Sequence, residues 1–221
     1  MTTTTKYDIL QDEEFMQLVK QAYDCLGCGK CSGGCPIMDL FPDDFNPHHL
    51  LVELVSDPEK ALDSKDIWFC ASCYKCNKNC PQAIELPEIF FRLRKFIIEN
   101  EGIGKLGEAI DTFKDKIPFP ESFFRVCFHP ERIPLDEEVL GELLAEKITN
   151  IKTNNLPETN IKVGIIGSGP AGLHTAYRLR QNKYQVTIFE SQDKAGGMLR
   201  KCIPEYRIPS ESIDNDIERI I

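Results

Sequence analysis

The sequence has no apolar run approaching the ~20 residues that a membrane-spanning helix needs. Its opening stretch, MTTTTKYDILQDEEF, lacks the apolar core of a secretory signal. A cytoplasmic protein without a membrane span is therefore expected. Positive charge is also short: the formal net charge is −9, which excludes a phosphate backbone as the expected partner, so no nucleic acid is anticipated. With no oxidising compartment implied, a disulfide framework is a poor account of the ten cysteines. Hydrophobic residues make up 42% of 221, enough for one or two packed domains.

What is present is concentrated in two short runs, CLGCGKCSGGCP (Cys25–Pro36) and CASCYKCNKNCP (Cys70–Pro81). Both read C-x2-C-x2-C-x3-C-P, the spacing of bacterial ferredoxins that hold 4Fe–4S clusters. Three thiolates two residues apart reach three corners of one cubane. The fourth, followed by proline, serves the other cluster in two-cluster ferredoxins. This assigns Cys25, Cys28, Cys31 and Cys80 to one 4Fe–4S cluster, and Cys70, Cys73, Cys76 and Cys35 to a second. Gly27, Gly29, Gly33 and Gly34 let the chain bend around the inorganic core. Zinc, the competing reading, favours separated cysteine pairs.

Around the runs the pattern is helical. Residues 1–7 are expected to fray. From Asp12, the residues Phe15, Leu18, Val19, Ala22 and Tyr23 form one apolar stripe leading into Cys25. Between the runs, Asn46 caps a helix with Pro47 at its first position and Leu50, Leu51, Leu54 and Val55 on its buried side. Asp57-Pro58 ends that helix, and a short second one spans Pro58 to Leu62. His48 and His49 read as exposed helix-start positions rather than metal ligands. Trp68 and Phe69 shield the adjacent cluster from water. After Pro81, a helix opens near Pro87, presents Ile89, Phe90, Leu93, Phe96 and Ile97 as a broad apolar face, and stops at Gly102. Arg92, Arg94 and Lys95 read as a solvated face, with docking of an acidic partner as the functional alternative.

These features, with DFNPHHLL and KDIWFCASCYKCNKNCP, resemble the dicluster ferredoxin subunit of heterodisulfide reductase and its relatives among electron-transfer proteins. The resemblance implies a helical ferredoxin that hands single electrons to other redox subunits: a flavoprotein, a thiol- or disulfide-reducing subunit, or both. Anaerobic handling goes with it.

Residues 103–150 contain IPFPESFFRVCFHPERIP, proline-rich and expected to be irregular, then a helix from Asp136 with Val139, Leu140, Leu143, Leu144 and Ile148 on one side. The stretch is similar to the connector of glutamate synthase small subunit-like flavoproteins. It keeps Arg125, Val126, Cys127, His129 and Pro130, but companion cysteine positions hold Ser122 or Phe123, and Glu131. Cys127 thus reads as a buried thiol, not a third-cluster ligand. Thr149 to Asn160 reads as a linker.

The period then changes. Ile161–Gly167 is a buried-strand pattern, GSGPAG follows, a helix continues through Leu173, Ala176, Tyr177 and Leu179, and a second strand ends at Glu190. This is a dinucleotide fingerprint in its strand–turn–helix context. Gly167 makes the turn, Gly169 admits a pyrophosphate, and Gly172 packs helix on strand. Ser168, Pro170 and Ala171 complete the loop, and Glu190 takes a ribose hydroxyl. Gly196, Gly197 and Met198, with IPEYRIP, resemble the FAD-binding half of the glutamate synthase small subunit, which implies FAD rather than NAD. Those relatives have glycine where this chain has Cys202.

The expected fold is α plus α/β: an all-helical dicluster ferredoxin domain (1–102), a connector and linker (103–160), and an incomplete Rossmann-like FAD-binding unit (161–221). Its 61 residues after the linker give too few strands for a covered sheet, so a fragment of a longer chain or a split gene is expected, over a relic. If nothing completes it, poor order and weak FAD binding follow. The expected function is an iron–sulfur component of a flavin-linked oxidoreductase that needs partner subunits or further polypeptide. The alternative is a redox-sensing or structural metal-binding module.

Overall fold

The computed structural model describes residues 11–130, 132–148 and 159–221. The frayed start, Glu131 and linker positions 149–158 lie outside the described residues, as does the Leu18 side chain. The chain divides into two units, Met1–Ala109 with Pro130–Leu135, and Ile110–His129 with Asp136–Ile221. Segment 103–160, which composition presents as one connector, is thus shared between them.

The first unit is helical, and among its described residues there is no strand. It contains α1 (Glu13–Tyr23), α2 (Lys30–Gly33), α3 (Pro36–Leu40), α4 (Pro47–Ser56) and α5 (Pro58–Asp63). A 3-10 turn over Lys65–Phe69, α6 (Lys75–Asn79), α7 (Leu86–Glu101) and the start of α8 (Gly104–Phe113) follow. The cause of each boundary is local. Asp12 caps α1 by accepting from Phe15 N at 2.8 Å, and Phe15, Val19 and Ala22 are buried. Tyr23, expected on the same stripe, is 63% exposed, because the helix ends there and the chain turns at Asp24. Asn46 Oδ1 accepts from His48 N and His49 N at the start of α4. Asp57 closes α4 and caps α5 through Lys60 N. Gly102 ends α7 at φ +77°, where an L-residue is strained. The apolar faces meet at Leu50, Leu54, Ile67, Trp68, Phe69, Phe90, Leu93 and Ile97, all buried. Phe45 stacks on Phe69 (6.0 Å, 15°) and meets Phe90 edge-on (6.5 Å, 68°). Each such side chain contributes about 1.5–3 kcal/mol by leaving water.

The second unit holds α9 (Pro120–Cys127), α10 (Glu137–Ile148), β1 (Lys162–Ile166), α11 (Pro170–Gln181), β2 (Gln185–Phe189), α12 (Met198–Cys202) and α13 (Ser210–Ile220). β1 and β2 are parallel, in register from Lys162↔Gln185 to Ile166↔Phe189. The sequence pattern of 161–167 predicts a strand buried on both faces; among the described residues only one face is covered. Ile165, Val186 and Ile188 pack on a core of Leu173, Ala176, Ile208, Ile213, Ile217 and Ile220. Ile166 and Phe189 are 93% and 59% exposed on the other face. The burial of Leu140, Leu143, Leu144 and Ile148 along α10 follows the expected stripe.

Residues 120–127, expected to be irregular, form a helix. Pro120 is well placed in its first turn, and the free N–H groups of Glu121 and Ser122 donate to Asp216 of α13 at 3.1 and 2.8 Å. The capping carboxylate comes from 95 residues away, which no local reading reveals. Phe119 and Val126 then pack on the same core as α13.

Candidate iron–sulfur and nucleotide sites

The two cysteine runs fold alike. In the first, Gly27 N donates to Cys25 Sγ at 3.4 Å; in the second, Ser72 N donates to Cys70 Sγ at 3.4 Å. Gly27 and Gly29 take φ +64° and +69°. The matching positions are Ser72 at +50° and Tyr74 at +59°. The second run therefore holds with L-residues a backbone that the first builds with glycine, at a cost on the order of 1 kcal/mol per residue. Cys35 stands at the N-terminus of α3, where the amides of Ile37 and Met38 reach its sulfur.

One pocket is walled by Cys25, Cys28, Cys31 and Cys80, the set predicted from spacing. Cys76, predicted for the other set, reaches it too. Leu51, Ile84 and Leu86 supply its apolar wall. Cys35 meanwhile feels Cys73, and Cys70 feels both Cys35 and Cys73. The fourth cysteine of each run thus lies with the first three of the other. Among the described residues no three His, Cys, Asp or Glu side chains converge as a ligand set for one metal ion. Ligands of a cubane bind separate irons and stand farther apart than the ligands of one ion.

Burial raises the thiols of Cys31, Cys35 and Cys70. It pushes Cys76 up to about 12, with Cys70 adding to the effect. Bare thiolates are disfavoured here; iron, a strong local cation, reverses that balance. Two further observations fit such a group. Trp68 and Phe69 are 1% and 2% exposed beside Cys70. His48 lines the first pocket, and its Nε2 is buried with no acceptor among the described residues, although its sequence context predicts an exposed helix start. A sulfur of a bound cluster is a suitable acceptor for that N–H.

Arg94 also departs from expectation. It is wholly buried, not on a solvated face. Its Nε and Nη2 donate to Ile67 O at 2.9 and 2.8 Å, and Nη2 also donates to Cys70 O. The charge opposes the burial penalty on the Cys70 thiolate. Arg132, from the returning segment Pro130–Leu135, donates to Ala71 O at 2.8 Å. The signal for Arg94 is present in the sequence: Phe90, Leu93, Arg94 and Ile97 fall at i, i+3, i+4 and i+7 on one face. Nothing local marks Arg132. Cys127 is buried in α9, as expected for a thiol without a ligand role, and Cys202 is exposed with Sγ 3.4 Å from Met198 Sδ.

In the second unit, the loop Gly167-Ser168-Gly169 leads from β1 into α11, whose first turn holds Pro170, Ala171 and Gly172. A Cβ on Gly172 would lie 2.0 Å from Gly167 O, so no side chain fits. A Cβ on Gly197 would meet Gly169 Cα at 2.9 Å. Gly196 N donates to Ser168 O at 3.1 Å and to Ser168 Oγ at 3.3 Å. The later glycine pair therefore packs against the fingerprint, with exposed Met198 following it. Above Gly169 the space a Cβ would take is open. That opening, at the positive end of a 12-residue helix, fits a pyrophosphate. Glu190 closes the far side. One carboxylate oxygen accepts from Ser168 N at 2.8 Å and from Ser168 Oγ, the other from Gln192 N at 2.9 Å. These bonds hold its carboxyl down at about 2, so it stays an acceptor.

Comparison with known proteins adds two domains and several relatives. Residues 21–84 match the family of 4Fe-4S dicluster domains, and residues 165–209 match NAD(P)-binding Rossmann-like domains. The chain is 33% identical over 131 residues to the NADPH-Fe(3+) oxidoreductase subunit beta of Geobacter sulfurreducens, covering 52% of this chain and 20% of that protein. It is 54% identical over 59 residues to the NADP(+)-dependent formate dehydrogenase subunit beta of Moorella thermoacetica, covering 27% and 8%. Identity is 48% over 59 residues to the NAD-dependent dihydropyrimidine dehydrogenase subunit PreT of Escherichia coli, covering 27% and 14%. The chain thus spans a fifth or less of the length of these relatives. It carries a 4Fe–4S dicluster domain and a Rossmann-like nucleotide unit. The resemblance to heterodisulfide reductase has no counterpart among these relatives and rests on its sequence motifs.

Proposed function

We propose that the chain is the iron–sulfur electron-transfer part of a flavin-linked oxidoreductase that works with a pyridine nucleotide. Cys25, Cys28, Cys31 and Cys80 hold one 4Fe–4S cluster; Cys35, Cys70, Cys73 and Cys76 hold the other. The observation that carries this reading is the exchange of fourth cysteines, with Cys80 in the wall formed by Cys25, Cys28 and Cys31, and Cys35 close to Cys73 and Cys70. When bound, the clusters supply one-electron exchange and the flavin supplies exchange of electron pairs.

The chain's own residues bind, orient and exclude water. Trp68 and Phe69 keep solvent from Cys70. The Gly169 and Gly197 backbones leave room for a dinucleotide pyrophosphate at the α11 N-terminus, and the ionised Glu190 offers its remaining lone pairs to a ribose hydroxyl. FAD is the dinucleotide favoured here, supported by the packing of Gly196, Gly197 and Met198 on the fingerprint loop, although the matching domain family is described by NAD(P). The electron partners are other redox subunits, a flavoprotein or a thiol- or disulfide-reducing subunit. The names of the similar proteins favour a nicotinamide nucleotide at one end of the path.

The test is oxygen-free purification of the chain. About eight irons and eight acid-labile sulfides per chain, bleached by dithionite, with FAD bound in preference to NADPH in equilibrium dialysis, support the reading. Colourless protein carrying zinc and no sulfide would sink it.

A further inference from the structure

We propose that Arg94 and Arg132 raise the reduction potential of the cluster in the Cys35, Cys70, Cys73 and Cys76 set above that of its neighbour, so that this set holds the first electron. This rests on the cluster assignment given under the proposed function. Two guanidiniums grip the main chain around Cys70. Arg94 Nε and Nη2 hold Ile67 O, Nη2 also holds Cys70 O, and Arg132 Nη1 holds Ala71 O at 2.8 Å. Arg94 is fully buried, and Arg132 is half-buried. Guanidinium stays charged at any working pH, so both act as fixed cations.

The competing effects differ in sign. Reduction adds a negative charge to a cluster, which burial opposes, and Trp68 and Phe69 make the Cys70 side the drier one. Burial alone would therefore lower this potential. Cations close by in the same low-dielectric interior act the other way with little screening; at Cys70 burial outweighs Arg94 alone, so it is Arg94 and Arg132 together that favour the reduced cluster. The first set has its own aid in His48, whose Nε2 lines that pocket. A single N–H dipole is weaker than two full charges. Lys30 and Lys75 occupy matching positions in the two runs, so their influence cancels to first order.

The experiment is a potentiometric titration of the iron- and sulfide-loaded full chain, with dithionite as reductant and the electron paramagnetic resonance signals as readout. Cys28→Ser and Cys73→Ser assign each signal to its set by changing it. The signal altered by Cys73→Ser is expected to be reduced first. In Arg94→Met, the ratio of reduced to oxidised cluster at the wild-type midpoint is expected to fall about tenfold, equivalent to about 59 mV for one electron. In Arg132→Met the fall is smaller, about threefold by the same relation, and Arg94→Lys recovers most of the loss. A mere packing role predicts lost iron without a shifted midpoint. If Arg94→Met fails to load, Arg132→Met decides alone. Unshifted midpoints in the variants that load, or first reduction at the set altered by Cys28→Ser, overturn this proposal and leave the functional reading standing. Wild-type chain that takes up no iron overturns both.

Discussion

Replacing Asp216 tests how the nucleotide unit is held together. Its side chain is fully buried, accepts from Glu121 N and Ser122 N, and pairs with Arg219 at 3.0 Å. Asp216→Ala strands two amides at the start of α9, at about 1–3 kcal/mol per buried group. The expected loss is about 3 kcal/mol, seen as faster hydrogen exchange across α9 and α13. Asp216→Asn keeps the shape and one acceptor, and isolates the charge. Burial pushes the Asp216 carboxyl up from 3.8 to about 6, against the opposing pull of the two amides and Arg219. The folded chain thus binds more protons than the unfolded one between about pH 4 and 6. By linkage its stability falls as pH rises through that window, by up to ~3 kcal/mol. Asn has no proton to lose there. The stability of wild type relative to Asp216→Asn should therefore increase as pH drops from about 7 to about 4, read from exchange protection corrected for intrinsic rates. A difference that is flat with pH, or that grows with rising pH, would show that the amides and Arg219 outweigh burial at Asp216.

Three other outcomes follow from particular contacts. Gly172→Ala, whose Cβ would sit 2.0 Å from Gly167 O, should abolish dinucleotide binding in equilibrium dialysis while leaving iron content unchanged. His48→Leu should stabilise the metal-free chain by about 1–3 kcal/mol, by removing an unsatisfied Nε2. In the loaded chain the sign should reverse, and equal shifts in both thermal melts would discount His48 as a cluster donor. Ser72→Gly and Tyr74→Gly should each stabilise the metal-free chain by about 1 kcal/mol, while Gly27→Ala and Gly29→Ala destabilise it by a similar amount, measured by urea titration.

Local chemistry makes much of this readable in advance. Asn46-Pro47, Asp57-Pro58 and Gly102 mark helix ends through backbone rules that act within a single helical turn, and the helices begin and end where those rules put them. The fingerprint glycines and Glu190 are legible for the same reason, and the later Gly196-Gly197 comes with the flavoprotein resemblance. Long-range partners are not legible. Asp216 caps a helix far upstream, so 120–127 looks irregular from its prolines alone. Arg132 reaches Ala71 across 61 positions. Arg94 misleads because its charge suggests solvent while its place on the apolar stripe puts it inside. His48 looks exposed because distant chain bordering the pocket, Cys80 and Ile84 among it, comes together with α4 only in three dimensions.

The sheet face that no described residue covers has a practical consequence. Ile166 and Phe189 lie paired in register across the strands, side by side and open to solvent. Such a patch next to a short ladder favours sticking between copies, and crowded expression or concentration should drive the polypeptide out of solution. Charged replacements at these two positions are the natural remedy when milligram quantities are wanted.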